Sequence, residues 1–353
     1  MNRVLLALTL CTGLLAPAHA RDVAPLEGLL AGSSQWAVYK QRFVRGDGRV
    51  VDNANGNVSH SEGQGFAMIM ALAARDRAGF DAIWGFARDR LGVRRDGLFA
   101  WRWKPRPIAQ VADHNNATDG DILIAWALME AEAAGWGQRY GKAAQRIRKG
   151  LSAMLKHHPT YGTYLRPAAY GFSPDHQDGV QVLNLSYFVF PALERMAELS
   201  GETVWLSAAS AGARLVEEAS RNRAGLPADW TALSPRTGKV GVAAKFDDDF
   251  SYNAVRVPLY MAWARDGHRT ALVRMAERWG RQAKLSRIDV TRGRATGRFA
   301  EQGYRAVASL MECALDGTRY PDRMRTQLDK LYYPASLNML ATIAVRQRYP
   351  QCW

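Results

Sequence analysis

Two carboxylates stand at the entrances of apolar, helix-forming runs in this 353-residue chain. One is Glu62 in "VSHSEGQGFAMIMALAA" (58–74), and the other is Asp119 in "NNATDGDILIAWALMEA" (115–131). Two carboxyl groups with different duties can cleave a glycosidic bond, one protonated to release the leaving oxygen and one ionised. The same residues also suit a purely structural role. Ser59-x-x-Glu62 and Ser61-x-x-Gln64 fit the capping-box pattern. Thr118 is placed to cap the second helix, with Asp119 and Asp121 complementing its dipole. Residue type and spacing alone leave both readings open.

The aromatic residues add context. "LFAWRWKP" puts Phe99, Trp101 and Trp103 in one loop, and Tyr170, Phe172, Tyr187, Phe188, Trp230 and Tyr252 lie near other loop-to-helix junctions. Flat sugar faces stack on such rings, while hydroxyls need Arg, Asp and Asn partners. Core packing competes for each ring taken singly, but a Trp-Arg-Trp loop is harder to bury. Metal patterns are missing: His157 and His158 are adjacent, His114 is isolated, and there is no His-x-x-x-His or Cys-x-x-Cys. No phosphate-cradling glycine loop or nucleophile elbow occurs either. The expected chemistry is that of carboxylates, without metal or cofactor.

The positioning elements are helical. Apolar residues recur at three- and four-residue spacing near 34–43, 62–75, 79–91, 119–136, 140–157, 184–199, 202–221, 251–264, 268–283, 301–315, 321–331 and 335–348. Alternating strand patterns are nearly absent. Short turns and long loops alternate between these twelve segments, so the natural unit is a helical hairpin. Six hairpins suit either a closed ring or an open solenoid, and periodicity does not choose. The long loops precede 62, 122 and 254 and bring carboxylates and aromatics to helix N-termini. If alternate helices run the same way, those loops form a single functional face.

The chain opens with Met-Asn-Arg, a short apolar run and "AHA" at 18–20, the pattern of a signal peptide over 1–20. The apolar run is too short to anchor in a bilayer. Export to the periplasm or beyond is expected, with 21–353 as one domain and a monomer as the expected state. Cys313 and Cys352 remain after cleavage, and an oxidising compartment permits a bridge between them. The net charge of +14 is spread along the chain without a basic arm. That distribution, with export, points to a generally basic surface rather than a nucleic-acid site.

The stretches "SEGQGFAMIMALAA", "LFAWRW", "NNATDGDILIAWALMEA", "LNLSYFVFPAL", "LPADW" and "FSYNAVRVPLY", in that order over 61–260, resemble glycoside hydrolase family 8. The likeness is greatest to its cellulases of bacterial cellulose synthesis. The resemblance implies an all-α (α/α)6 barrel of six helical hairpins. It also implies inverting hydrolysis of β-1,4-glucan, with the cellulose synthesis machinery as a further partner. By the same resemblance, Glu62 maps onto the general acid and Asp119 onto the residue that grips and distorts the central sugar. Trp101, Trp103, Tyr187 and Arg256 are expected to touch substrate or support its cleft.

One position departs from the family pattern. Typical members carry Tyr-Asp-Ala before Arg-Val-Pro, and that Asp activates the attacking water; here the stretch is Tyr252-Asn253-Ala254. An amide takes no proton near neutral pH, although Asn253 can orient a water or bind a hydroxyl. Asp119 and Asp249 are the expected substitutes for the base, with Asp119 favoured and Asp247, Asp248 and Asp229 behind them. Xylan, mixed-linkage glucan and chitosan remain alternative substrates. A non-catalytic glycan-binding protein, inactivated at Asn253, is the alternative of another class.

Overall fold

The computed structural model describes residues 24–265 and 268–353, so the expected signal peptide lies outside the described residues. Among the described residues, twelve α-helices follow one another. They are α1 (Ser34–Phe43), α2 (Ser61–Ala73), α3 (Arg77–Phe86), α4 (Thr118–Ala133), α5 (Gln138–Ser152) and α6 (Phe190–Ser200). The second half has α7 (Val204–Ala219), α8 (Arg256–Trp263), α9 (Arg269–Met275), α10 (Gln302–Asp316), α11 (Asp322–Thr326) and α12 (Tyr332–Arg348).

Burial divides these helices into two classes. Every residue of α8 is buried, as are nearly all residues of α2 and the first fourteen of α4. By contrast, α5 buries only Tyr140, Ala144, Ile147, Gly150 and Leu151, the single stripe expected of a helix with one wet face. Even-numbered helices are therefore the inner layer and odd-numbered ones the outer. Within the inner layer α2 packs on α4, α4 on α6, α6 on α8, α8 on α10, and α10 on α12. The contact of α12 with α2 closes the ring. The fold is the all-α (α/α)6 barrel, and this closing contact decides between the ring and the solenoid.

Small residues set the closest approach in the ring. A Cβ on Gly65 would stand 2.5 Å from Leu123 Cβ, and one on Gly120 would stand 2.2 Å from Ser61 Oγ and 2.7 Å from the Glu62 nitrogen. Glycine at both positions lets the entrances of α2 and α4 come nearly into backbone contact. That contact brings Glu62 and Asp119 side by side.

Short strands, which the patterning did not lead us to expect, trim the loops. They are β1 (Ser59–His60), β2 (Arg102–Trp103), β3 (Leu155–His158), β4 (Gly162–Leu165) and β5 (Gln181–Leu183). The rest are β6 (Thr231–Leu233), β7 (Val240–Val242), β8 (Asp249–Phe250), β9 (Ser286–Asp289) and β10 (Arg294–Arg298). They form antiparallel pairs β1–β2 and β3–β4, and antiparallel sheets β5–β6–β7 and β8–β9–β10. Segments of two to five residues are too short to show a period-two signal. His157 and His158, expected at the end of a helix, lie instead in β3, because α5 stops at Ser152.

A Cys313–Cys352 disulfide ties α10 to the C-terminal segment, spanning 39 residues. Cross-linking a loop of that length contributes roughly 4 kcal/mol through the unfolded chain's lost freedom. No helix among the described residues is long and apolar enough to cross a membrane.

Candidate active site

All six inner helices present their N-terminal ends to one open cleft. Glu62 comes from α2, Asp119 from α4, Tyr187 from the turn before α6, and Asn253 and Arg256 from the entrance of α8. The α10 entrance adds Glu301 and Tyr304, and α12 adds Tyr332 and Tyr333. The single functional face expected from the loops is present.

Local structure explains how each carboxylate arrives. Strand β1 pairs with β2 in the register Ser59–Trp103 and His60–Arg102, and Ser61 donates its N–H to the Trp101 carbonyl. The chain thus enters α2 in a fixed direction. The N-cap is His60, and no side chain caps α2. The capping-box reading fails for physical reasons seen in the partners. Gln64 is turned away to bond Val50, Gly48 and Ile83, while Glu62 bonds Arg256. Thr118 is not a cap either: its hydroxyl donates to the Arg166 carbonyl.

Arg256 is the hub. Its Nη1 donates to Glu62 Oε2 at 2.5 Å and to Asp119 Oδ2 at 2.7 Å, and its Nη2 donates to Asn253 Oδ1 at 2.9 Å. Its side chain is 2% exposed, against 1% for Asp119 and 20% for Glu62. Both carboxylates line the cleft, and Glu62 is the more exposed of the two. Burial pushes the Glu62 carboxyl up to about 8; Arg256 opposes the rise, and Asp119, by its charge and a hydrogen bond, adds to it. A carboxyl group with that affinity holds its proton at neutral pH.

Asp119 is otherwise engaged through Oδ1, which accepts the Gly120 N–H at 2.8 Å. Because Glu62 and Asp119 bond the same nitrogen, their nearest oxygens are no farther apart than the two bonds laid end to end. That falls short of the roughly 6.5–9.5 Å that an inverting acid–base pair keeps for its water. Asp119, expected either to grip the sugar or to act as base, thus stands beside Glu62 rather than across a water's width from it.

Asp249 is also displaced from the role considered for it. Its Oδ2 accepts from Thr296 Oγ1 at 2.6 Å within the β8–β9–β10 sheet, and it does not line the cleft. Asp248 is similarly held by Thr291. Asp229 sits behind Asn253, where its Oδ1 accepts the N–H groups of Ser251, Asn253 and Ala254 at 2.9, 3.2 and 2.7 Å. It positions the loop that carries Asn253 and Arg256. Burial raises the Asp229 pKa, with the three N–H groups opposing.

The expected aromatic residues divide into two groups. Trp101 lines the cleft, fixed by a 2.7 Å bond from Nε1 to Asp113, a stacked His60 ring and the Arg102 guanidinium 4.1 Å from its centroid. Trp103 is buried, bonds Gln110 and does not line the cleft; it supports the loop through β2. Tyr187 lines the cleft with Arg256 5.8 Å from its ring centroid. Trp230 also lines it, stacked against Phe172 at 5.1 Å and Phe246 at 4.8 Å. Phe188 is core.

Sequence reasoning missed Asp52, Glu301, Tyr304, Tyr332 and Tyr333. Glu301, Tyr304, Tyr332 and Tyr333 lie at the same kind of loop-to-helix junction as the residues it found, and that position was the available signal; Asp52 lies earlier, in the loop before α2. Among the described residues no three His, Cys, Asp or Glu side chains gather as a metal site.

Glu62 is thus held beside a buried Asp–Arg pair, in an aromatic cleft at the mouth of an (α/α)6 barrel. The sequence pattern of Glycosyl hydrolases family 8 matches residues 27–347. The chain belongs to this family. A probable endoglucanase of Novacetimonas hansenii is 37% identical over 318 residues, covering 89% of this chain and 91% of that protein. Two solved structures agree. The family 8 endoglucanase of Klebsiella pneumoniae superposes with a TM-score of 0.81 at 34% identity, over 90% of this chain and all of that one. The endo-β-1,4-glucanase of Acetobacter xylinum gives 0.80 at 34%, over 91% and 99%. As a family 8 glycosyl hydrolase, the chain is a glycosidase whose cleft matches the place where its sequence motifs converge.

Proposed function

We propose that this family 8 glycosyl hydrolase is an exported endo-β-1,4-glucanase that inverts the anomeric centre. The observation that carries the reading is Glu62, which lines an open cleft and shares the Arg256 Nη1 with Asp119, and whose proton affinity burial raises. Glu62 donates its proton to the leaving glycosidic oxygen. Asp119, fixed by Arg256 and the Gly120 N–H, faces the sugar at the cleavage point and bonds its hydroxyls as the ring distorts. The open cleft admits an internal stretch of chain, and Trp101, Tyr187, Trp230 and Tyr252 offer rings for successive sugars. Similarity over nearly the whole length to an endo-β-1,4-glucanase supports β-1,4-glucan as the substrate. Trimming of nascent cellulose beside its synthesis machinery is the cellular setting this activity suits.

Export is supported by the leader-like first twenty residues and by the Cys313–Cys352 bridge, since disulfides persist in oxidising compartments. The test is reducing-end release from soluble β-1,4-glucan, xylan, mixed-linkage glucan and chitosan, with the first product's anomer read by NMR. Cleavage of β-1,4-glucan to an initial α-anomer is expected. Chitosan belongs in the panel because Asp52, Glu62, Asp119 and Glu301 line the cleft with a single guanidinium, that of Arg256. Preference for chitosan or an initial β-anomer would overturn the reading. Binding without turnover would leave a glycan-binding protein.

A further inference from the structure

An inverting site needs a carboxylate to take a proton from water, on the face of the sugar away from the acid. Asn253 stands where the family pattern puts that carboxylate, and its Oδ1 already accepts from Arg256. Four carboxyl-bearing residues line the cleft: Asp52, Glu62, Asp119 and Glu301. Glu62 is the proposed acid, and Asp119 shares a nitrogen with it. Asp52 lies on the loop that leads into Glu62's own helix, accepts the Ala54 N–H and faces His60 at 4.0 Å. All three belong to the acid's side of the mouth.

Glu301 differs in place and in partners. It is the N-cap residue of α10 and is only partly buried. In the ring, α8 stands three places from α2, and α10 is the neighbour of α8. Aromatic contacts join the two entrances into one wall. The Tyr252 ring lies 5.7 Å from Phe299 and 6.3 Å from Tyr304, and Tyr333 Oη donates to the Tyr252 carbonyl. Glu301 therefore shares a wall with Asn253. Burial raises the Tyr304 phenol's pKa and the charge of Glu301 raises it further, as expected for close neighbours. Among the described residues, its carboxylate has neither a hydrogen bond nor an ion pair, in contrast to Asp119, Asp229, Asp248 and Asp249.

We propose that Glu301 is the general base of this enzyme, drawing the proton from a water that the Asn253 amide helps to orient. Its entrance replaces the carboxylate that Asn253 lacks with one from the adjoining inner helix. In the step, a water O–H bond breaks and its proton passes to Glu301. The water oxygen bonds the anomeric carbon as the glycosidic C–O bond breaks, and the leaving oxygen takes its proton from Glu62. One water is consumed, Glu62 ends ionised and Glu301 ends protonated; exchange with solvent resets both. Asn253 is a positioning residue in this scheme.

The inference rests on the glucanase reading, and the test separates the two. Hydrolysis of a β-1,4-linked oligosaccharide is measured for wild type, Glu301→Gln and Glu301→Ala, with oligosaccharide affinity measured alongside. Glu301→Gln is expected to lower kcat by about 10²–10⁴-fold with little change in affinity, and to remove the acidic limb of the kcat/KM–pH profile. Azide is expected to restore turnover to Glu301→Ala by replacing water, giving an α-glycosyl azide. An active wild type whose Glu301→Gln variant stays within a few-fold in kcat, or loses affinity alone, would overturn the base assignment and leave the glucanase reading standing. A wild type that cleaves no glycan in the panel would overturn both.

Discussion

Glu62 and Asp119 are bound to one and the same nitrogen, Nη1 of Arg256, at 2.5 and 2.7 Å. Three groups carrying two potential negative charges and one positive charge thus meet at a single point, almost wholly out of water. Two ionised carboxylates so close repel each other, so the proton settles on one of them. Burial raises the Glu62 carboxyl, the more exposed of the two, to about 8. In the proposed function, that proton is the one given to the leaving oxygen.

That proton links rate and stability to pH. Between the ordinary carboxyl value of 4.5 and about 8, the folded protein retains a Glu62 proton that the unfolded chain has released. Stability then falls as pH rises through this window, at up to about 1.4 kcal/mol per pH unit for one group. Asp121, raised by burial from 3.8 to about 8, adds a second contribution of the same sign. Glu62→Gln is expected to flatten part of the decline in chemical denaturation and to lower activity by about 10²–10⁴-fold. The wild-type rate should fall above about pH 8. A stability profile as steep in Glu62→Gln as in wild type would refute this linkage.

Replacing Arg256 by Met tests the hub. The substitution leaves Asp119 without its cation and costs about 3–5 kcal/mol, as expected when one partner of a buried pair is removed. Arg256 also lowers the proton affinity of Glu62, so its loss should move the alkaline limb of any residual activity to higher pH. Arg256→Lys keeps the charge but not the fork that reaches Asn253, and should recover stability better than rate. Thermal melts and pH–rate profiles of the two variants make the comparison.

Gly120→Ala probes the contact between helix entrances. Its new methyl would meet Ser61 Oγ at 2.2 Å and the Glu62 nitrogen at 2.7 Å, so α2 and α4 must separate. Overpacking of this kind costs about 1–3 kcal/mol. Activity should fall further than that loss implies, because the shift moves Glu62 relative to Asp119. Wild-type turnover in Gly120→Ala would show that the site tolerates a wider spacing.

Much of this architecture could be read before any coordinates. Amphipathic periodicity located the twelve helices, and loops rich in Asp and aromatic residues marked the mouth. What could not be read followed from range. Periodicity reports how one helix meets its core, not which helix meets which, so the α12–α2 closure was invisible. The Ser-x-x-Glu pattern at 59–62 suggested a cap because capping is a local contact. The carboxylate instead found Arg256, a partner 194 residues away. Glu301 was missed for the same reason: its relation to Asn253 runs through Tyr252, Phe299 and Tyr304 rather than along the chain. Asp249 looked close to Asn253 in sequence, yet β8 carries its side chain to Thr296.

Ring closure also sets when the enzyme comes into being. Glu62 is made early, but Tyr332 and Tyr333, which line the same cleft, belong to α12 and are made only after the other inner helices of the ring. During translation the flanks of α2 and α10 that α12 covers remain apolar and uncovered until α12 has been made. Closure then joins residues separated by most of the sequence, the kind of contact that slows folding. A chain halted before α12 should therefore be an aggregation-prone open crescent with no complete cleft, rather than a weak glucanase. The disulfide from α10 to Cys352 fastens the final segment, so in an oxidising compartment the last step of assembly is also the one that is locked.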